Sequence, residues 1–345
     1  MTIQTSRCSH FLAALCLVAA SSTALPAQEA AQAAAAASGN TGGARTLTSS
    51  ELEATRQAAA APAPPGAAIN PVQVHQGDHV ASGISLRNRG GGVINLRGTP
   101  AGATAIKALL YWDVLMSPAA PNMTVSINGV GVSGTKIGQG PSPCWGGSLN
   151  AAYQADVPLY LLYAGINGDY LIAGVPSSKG TGDSPWPPSG SAPLAEGATL
   201  VVIYRHPNNT FTKTYVYEAP ISGNMFSTTF NTTLGGFNPP APLNQAKFTL
   251  IGADGQIGIG GGLDASYNLT AEKSFFQGQQ IAGPGSTSSW VDNDSDWNGQ
   301  DTEPLNQLWD TRTHVVPIKK NSTDASVRYI SQGDCLVTVA FVLSL

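Results

Sequence analysis

The residues best suited to chemistry are crowded into one run, Asp292-Asn-Asp-Ser-Asp-Trp-Asn-Gly-Gln-Asp-Thr-Glu303. With Asp292 as position 1, Asp292, Asp294, Asp296 and Glu303 stand at positions 1, 3, 5 and 12, the spacing of a calcium loop. Calcium is a hard cation that needs several oxygens, and alternate residues of a tight loop can turn theirs inward. Asn298 is placed to lend a backbone carbonyl, Gln300 to act directly or through water, and Glu303 to bind with both oxygens. The run departs from the pattern at position 6, where Trp297 replaces the glycine of the sharp turn, and neither flank reads as a helix. The expectation is a structural calcium ion on Asp292, Asp294, Asp296, Asn298, Gln300 and Glu303. Its alternative is a solvated acidic loop.

A second chemistry is stacking. Trp145, Trp186, Trp290 and Trp297 lie beside Gly, Ser, Asp or Pro, in stretches without strand periodicity. An aromatic ring in a loop offers a broad apolar face with a polar edge, suited to a sugar ring in a half-wet site. These four are the expected glycan-binding residues, unless they plug the ends of the fold. Trp112 and Trp309 sit inside strand-like runs and are expected in the core. Catalysis has thinner support. A glycosidase needs two facing carboxylates, for which Asp113 and Glu218 are the available strand candidates. His75, His79, His206 and His314 show no zinc spacing, and Gly-x-Ser-x-Gly is absent. No catalytic residue is assigned. A secreted carbohydrate-active enzyme is the alternative to a binding or structural protein.

These residues must be positioned by strands. Ile106, Ala108, Leu110, Trp112 and Val114 alternate with Lys107, Leu109, Tyr111 and Asp113, a half-buried strand with one more polar face. Met123–Asn128 reads as a strand ending in a turn at Gly129. Thr199–Arg205 and Thr212–Glu218 read as a hairpin joined across His206–Thr210. Further strands are expected at Lys247–Gly252, Ser266–Phe276 and Thr311–Ile318. The run from Cys335 to Leu345 is apolar on both faces, with Cys335, Val337, Val339, Phe341, Leu343 and Leu345 together on one of them, which suits the centre of a sheet. Gly134–Asn150 and Val175–Glu196 read as long loops. Many short strands with Gly/Pro turns and no long amphipathic helix predict an all-β fold, a large antiparallel β-sandwich with jelly-roll connections as one topology.

Three zones follow. Residues 1–24 read as a secretory signal peptide: one charge at Arg7, an apolar stretch from Phe11 to Ala20, and Ser22 and Ala24 as the small residues before cleavage. Residues 25–71 are an Ala/Gly/Pro-rich linker, expected to be disordered, and residues 72–345 are the β-sandwich. The apolar stretch is too short to span a bilayer, so no integral membrane segment is expected after signal removal. Cleavage takes away Cys8 and Cys16 and leaves Cys144 and Cys335, which in an oxidising compartment most simply pair. A bridge closing so long a loop is worth about 5 kcal/mol in the chain-entropy model. Only 11% of residues are charged, against about 25% in an ordinary domain. With net charge −4 and no Lys/Arg cluster, a nucleic-acid partner is not expected.

Ala108-Leu-Leu-Tyr-Trp112, Val125-Ser-Ile-Asn-Gly-Val130, Tyr153-Gln-Ala-Asp-Val157, Gly197-Ala-Thr-Leu-Val-Val-Ile-Tyr-Arg205 and Leu308-Trp-Asp-Thr-Arg-Thr-His314 occur in that order along the chain. In these stretches the chain resembles a loose family of secreted or surface-displayed bacterial β-sandwich proteins of adhesin type. The resemblance implies a sandwich outside the cell in an adhesive or matrix role, and carries over no catalytic residue. The expectation is a non-catalytic secreted or cell-surface protein, with the periplasm also compatible, whose partner is a surface glycan or matrix component. The residues up to Leu345 show no sorting signal, which favours release or non-covalent retention.

Overall fold

The computed structural model describes residues 68–142, 149–182, 191–209, 212–218, 223–224, 229–239, 244–256, 272–283, 296, 307–330 and 336–345. In chain order the strands are β1 (Ala68–Ile69), β2 (Gln73–Gln76), β3 (Asp78–Ser85), β4 (Gly91–Leu96), β5 (Thr104–Met116), β6 (Asn122–Ile127), β7 (Val130–Pro141), β8 (Leu149–Asp156), β9 (Gly168–Ala173) and β10 (Leu194–Arg205). They continue as β11 (Lys213–Glu218), β12 (Gly223–Asn224), β13 (Thr229–Leu234), β14 (Gln245–Gln256), β15 (Lys273–Phe276), β16 (Gln279–Ala282), β17 (Gln307–Pro317), β18 (Ala325–Ile330) and β19 (Leu336–Ser344). Two short 3-10 turns, at Leu159–Leu162 and Pro207–Asn209, are the helical pieces among the described residues. The all-β antiparallel sandwich expected from the sequence is what forms.

Three sheets share the strands. An eight-stranded sheet runs β3-β10-β5-β8-β7-β6-β9-β4, and its first and last strands are joined by the short link Leu86–Gly90, so it curls almost into a barrel. A six-stranded sheet runs β17-β14-β19-β11-β2, with β12 paired to β19. A five-stranded sheet runs β1-β13-β18-β15-β16. Pairing is antiparallel except between β1 and β13, where Ala68 and Ile69 run parallel to Thr233 and Leu234. Those two residues fall within the stretch read as linker. They are paired because Ile69 packs against the aromatic core behind β13.

Each pair of facing surfaces encloses its own core. Leu110, Trp112, Val114, Tyr153, Leu200 and Val202 fill the curled sheet. Phe230, Phe248, Phe276, Tyr329 and Phe341 stack between the five- and six-stranded sheets, with ring centroids 5.0–6.5 Å apart. Leu109, Tyr111, Val201, Ile203, Ile251, Trp309 and Val342 form a third layer, where the outer wall of the curled sheet meets the six-stranded sheet. At about 1.5–3 kcal/mol for each large apolar side chain taken out of water, this shared layer is a principal source of cohesion.

The shared layer explains where the sequence reading departs from the structure. The face Lys107–Asp113 was expected to be half-wet, but Leu109, Tyr111 and Asp113 are fully buried because the six-stranded sheet covers them. A bulge against Ile203 and Tyr204 turns Ile106 to that outer layer, away from Ala108 and Leu110. The strands read as a hairpin, β10 and β11, belong to different sheets: β10 pairs with β3 and β5, β11 with β19 and β2. β10 is buried from Leu194 to Tyr204 and β11 from Thr214 to Tyr217, so each is satisfied only at the interior of its own sheet. Gly134–Pro141, read as loop, is the second half of β7. Gly134 gives β7 its close approach to the Trp112 ring, whose Cη2 would lie 2.1 Å from an added Cβ. Asn128 and Gly129, both with positive φ, form the tight turn between β6 and β7. As expected, β19 lies inside a sheet, between β14 and β11. A bulge at Val339 breaks its alternation, so Val337 and Val339 join Ala340 and Val342 in the shared layer while Phe341, Leu343 and Leu345 face the aromatic core.

Candidate functional site

The chemically active side chains among the described residues gather at two ends of the shared layer. At one end, β3 brings in Asp78 and His79. The His79 ring is fully buried, with Nδ1 2.5 Å from Ser344 Oγ on β19 and Nε2 2.7 Å from Thr249 Oγ1 on β14. Thr214 and Thr313 extend the chain of hydroxyls, each at 2.7 Å from its neighbour. Lys247 donates to Asp78 Oδ2 at 2.5 Å and to the His79 carbonyl at 3.0 Å. Burial opposes protonation of the imidazole, and its pKa is pushed down to about 3 despite the nearby Asp78 carboxylate. Both ring nitrogens are engaged by hydroxyls, so His79 is a joint between sheets, not a metal ligand.

At the other end lies a buried charge cluster. Arg87 follows β3, Asp113 is on β5, Glu196 is the extra residue of a bulge in β10, and Asp254 sits at the distal part of β14 in a positive-φ conformation. All four are at most 1% exposed. The Arg87 guanidinium is hydrogen-bonded to Glu196 Oε1 and lies 3.8 Å from Asp254 Oδ1. Both carboxylate oxygens of Asp113, both amide atoms of the adjacent buried Asn150 and Glu196 Oε2 make no hydrogen bond with another protein group. Burial, reinforced by Asp254, pushes the Asp113 carboxyl well above the usual carboxylate range. Glu196 is raised in the same way, burial outweighing its Arg87 partner. Trp309 closes the floor, donating from Nε1 to Thr199 Oγ1 at 2.9 Å and lying flat over Gly197.

Neither end makes a catalytic pair. Glu218 is only half-buried, on β11 beside Tyr111, and burial raises its pKa. Asp113 therefore has carboxylate neighbours in Glu196 and Asp254, but inside a sealed layer and around an arginine. Among the described residues, no three His, Cys, Asp or Glu side chains are disposed to hold one metal ion. No helix among them is long and apolar enough to cross a membrane.

Of the calcium residues expected from the sequence, Asp296 is described. It is buried, and its Oδ1 accepts a hydrogen bond from His314 Nε2 at 2.6 Å. Asp292, Asp294, Asn298, Gln300 and Glu303 lie outside the described residues, as do Cys144, Cys335, Trp145, Trp186, Trp290 and Trp297. Trp112 and Trp309 are fully buried in the core, as expected. The strand ends next to several of the undescribed segments share one end of the molecule. Met116, Pro141, Leu149 and Leu194 are neighbours in the curled sheet, and Ala253–Gln256, Gln307 and Leu336–Val337 in the six-stranded sheet. The Arg87–Asp254 pair and the Trp309–Gly197 contact join those two edges. The sequence reading named Asp113 but missed Arg87, Glu196 and Asp254. Their only sequence signal is a charge set inside or against an apolar strand, as in Leu194-Ala-Glu-Gly-Ala-Thr-Leu-Val-Val-Ile203.

No family model and no curated protein matches the chain. Among solved structures it is similar to a GH86 protein in complex with neoagarooctaose, at 10% identity and TM-score 0.25, covering 78% of this chain and 32% of that one. A β-porphyranase of glycoside hydrolase family 86 from Bacteroides plebeius is 9% identical with TM-score 0.24, over 78% of this chain and 34% of the other. An insecticidal delta-endotoxin from Bacillus thuringiensis is 9% identical with TM-score 0.23, over 81% and 54%. The chain spans about a third to a half of the length of these structures. Likeness of this order carries no argument about function.

Proposed function

We propose that this is a non-catalytic, exported β-sandwich protein with a structural or adhesive role, which binds a glycan. One observation carries the reading: among the described residues, the carboxylates that converge are buried between two sheets around Arg87. The loop tryptophans Trp145, Trp186, Trp290 and Trp297 are the proposed sugar contacts, and the segments holding Trp145 and Trp186 adjoin the shared end described above. Calcium on the Asp292–Glu303 run and a Cys144–Cys335 bridge belong to the same proposal, as devices that fasten those segments. The chain is proposed to act outside the cytoplasm, after removal of residues 1–24.

A glycan array combined with a hydrolysis assay on its hits is the test. Retention without release of reducing ends, lost when the four tryptophans are changed to alanine, is the expected result. Turnover that disappears in Glu218→Gln would replace the proposal with a carbohydrate-active enzyme. A melting temperature unchanged between calcium and chelator would remove the ion, and two free thiols in the unreduced protein would remove the bridge.

A further inference from the structure

The 3-10 turn Leu159–Leu162 carries a second aromatic feature, far from the tryptophan segments in sequence. Its sequence is Leu159-Tyr-Leu-Leu-Tyr163. Leu162 is buried, and Leu159 and Leu161 pack against the core of the curled sheet. The two tyrosines do the opposite: Tyr160 is 54% exposed and Tyr163 83% exposed. Tyr163 keeps helical dihedrals, and its N–H donates to the Tyr160 carbonyl at 3.3 Å, closing the turn. Residues three apart on a 3-10 helix eclipse one another, so the backbone positions of Tyr160 and Tyr163 lie on one side of the turn, about 6 Å apart along its axis. The turn is anchored on both flanks, by Leu161 N–H to the Pro158 carbonyl at 3.1 Å and Gly165 N–H to the Leu162 carbonyl at 3.0 Å. Two large exposed rings on a fixed backbone are not explained by packing.

The chain then bends directly into a cavity of about 150 Å³, lined by Thr99, Gly102, Gly165, Ile166 and Asn167 among others. Gly102 and Gly165 both have positive φ, and an added Cβ at either would meet nothing within 4 Å, so the lip is open because it carries no side chains. Asn167 is held in place, donating to the Thr99 carbonyl at 2.9 Å and accepting from the Thr99 backbone N–H at 3.0 Å. Among the described residues the charges beside the turn are paired, Lys107 with Asp156 at 2.7 Å on its N-terminal side. The turn has no acidic residue in its first turn and no basic one in its last, and the nearby Arg97 and Asp169 pair with each other at 2.5 Å.

We propose that Tyr160 and Tyr163 form a platform for two consecutive rings of a neutral, linear oligosaccharide, with the cavity beside Gly165 accepting a ring substituent. The C–H-rich face of a pyranose matches the electron-rich face of a tyrosine ring, and the spacing of the two rings suits adjacent units of a chain. The absence of unpaired charge around the turn selects against acidic sugars. This site rests on the glycan-binding reading above but uses different residues.

The test is binding of the full chain to immobilised cellohexaose, chitohexaose and neoagarooctaose. Wild type is expected to hold at least one of them, with Tyr160→Ala/Tyr163→Ala weaker by about tenfold or more and Tyr163→Phe within about twofold of wild type. The bound sugar should also slow nitration of Tyr163 by tetranitromethane, which locates the contact. Because both side chains are exposed, the variants should keep the wild-type circular dichroism and melting temperature. Wild-type affinity in the double-alanine variant would overturn the platform and leave the tryptophan-based glycan reading standing. Failure of the wild type to bind any of these neutral probes would overturn the platform. Failure across acidic and branched glycans as well would overturn the glycan reading too.

Discussion

The His79 end and the Arg87 end of the shared layer bury polar groups at the same depth and solve the resulting problem differently. Around His79 each buried donor or acceptor meets a hydroxyl, a carbonyl or Lys247. Around Arg87 the Glu196 and Asp254 carboxylates share one guanidinium, and the Asp113 and Asn150 side chains make no hydrogen bond among the described residues. The first arrangement returns through hydrogen bonds what dehydration costs. The second sets buried carboxyls against one cation, and burial raises the pKa of Asp113 and Glu196, so its stability is tied to charge balance. One interface thus contains a joint that resists proton uptake and a cluster that favours it.

That contrast is sharpest under pH. The largest effect is expected in acid. His79 titrates near 3 in the fold against 6.5 unfolded, so its stabilisation is complete above pH 6.5 and is lost as pH falls toward 3, about 4–5 kcal/mol in all. Asp78 adds to this loss: burial raises its pKa most, but Lys247 and the His79 contacts together outweigh burial and the net shift is downward. Asp113 and Glu196 have the opposite sign: their folded pKa values are raised, so stability declines as pH rises through them. Urea unfolding across pH should show His79→Asn flattening the rise in stability between about pH 3 and 6.5, and Asp113→Asn removing a decline that sets in above about pH 4. If each variant had the other's effect, the comparison would be reversed.

Next in size is Arg87→Met, which leaves Glu196 and Asp254 without their cation. A loss of about 3–4 kcal/mol is expected at neutral pH, recovered in part by adding Glu196→Gln and Asp254→Asn. A neutral Arg87→Met variant would show that the guanidinium is dispensable. Gly197→Ala should cost about 2–3 kcal/mol, because its Cβ would lie 2.2 Å from Trp309 Cγ in the floor of the cluster. The smallest effect is expected for Ser344→Ala. It removes one partner of His79 and one of Thr214, for about 1–2 kcal/mol in thermal or urea unfolding.

Much of the fold was legible because strand periodicity is a local property. The alternation at Ile106–Val114, the turn at Asn128-Gly129 and the doubly apolar run after Leu336 each announce their elements from neighbouring residues. What could not be read is which sheet covers which face. Nothing around Tyr111 says that its face meets Ile251 and Trp309, and nothing near His206 says that β10 and β11 part company. Bulges escaped for the same reason. Val339 looks like any other strand residue, and the charge of Glu196 does not say that it is a bulge, yet each shifts the alternation by one and re-aims everything beyond it. The Arg87 cluster is assembled from four separated segments, so the charges that balance it have no pattern in the chain.

The position of β19 has a temporal consequence. The last strand lies between β11 and β14, and Leu345 exchanges both backbone hydrogen bonds with Lys213. Meanwhile β2, near the beginning of the described chain, pairs only with β11. Six-stranded pairing therefore waits on β19, without which β11 and β14 lack their common neighbour. Such long-range pairing is slow to form.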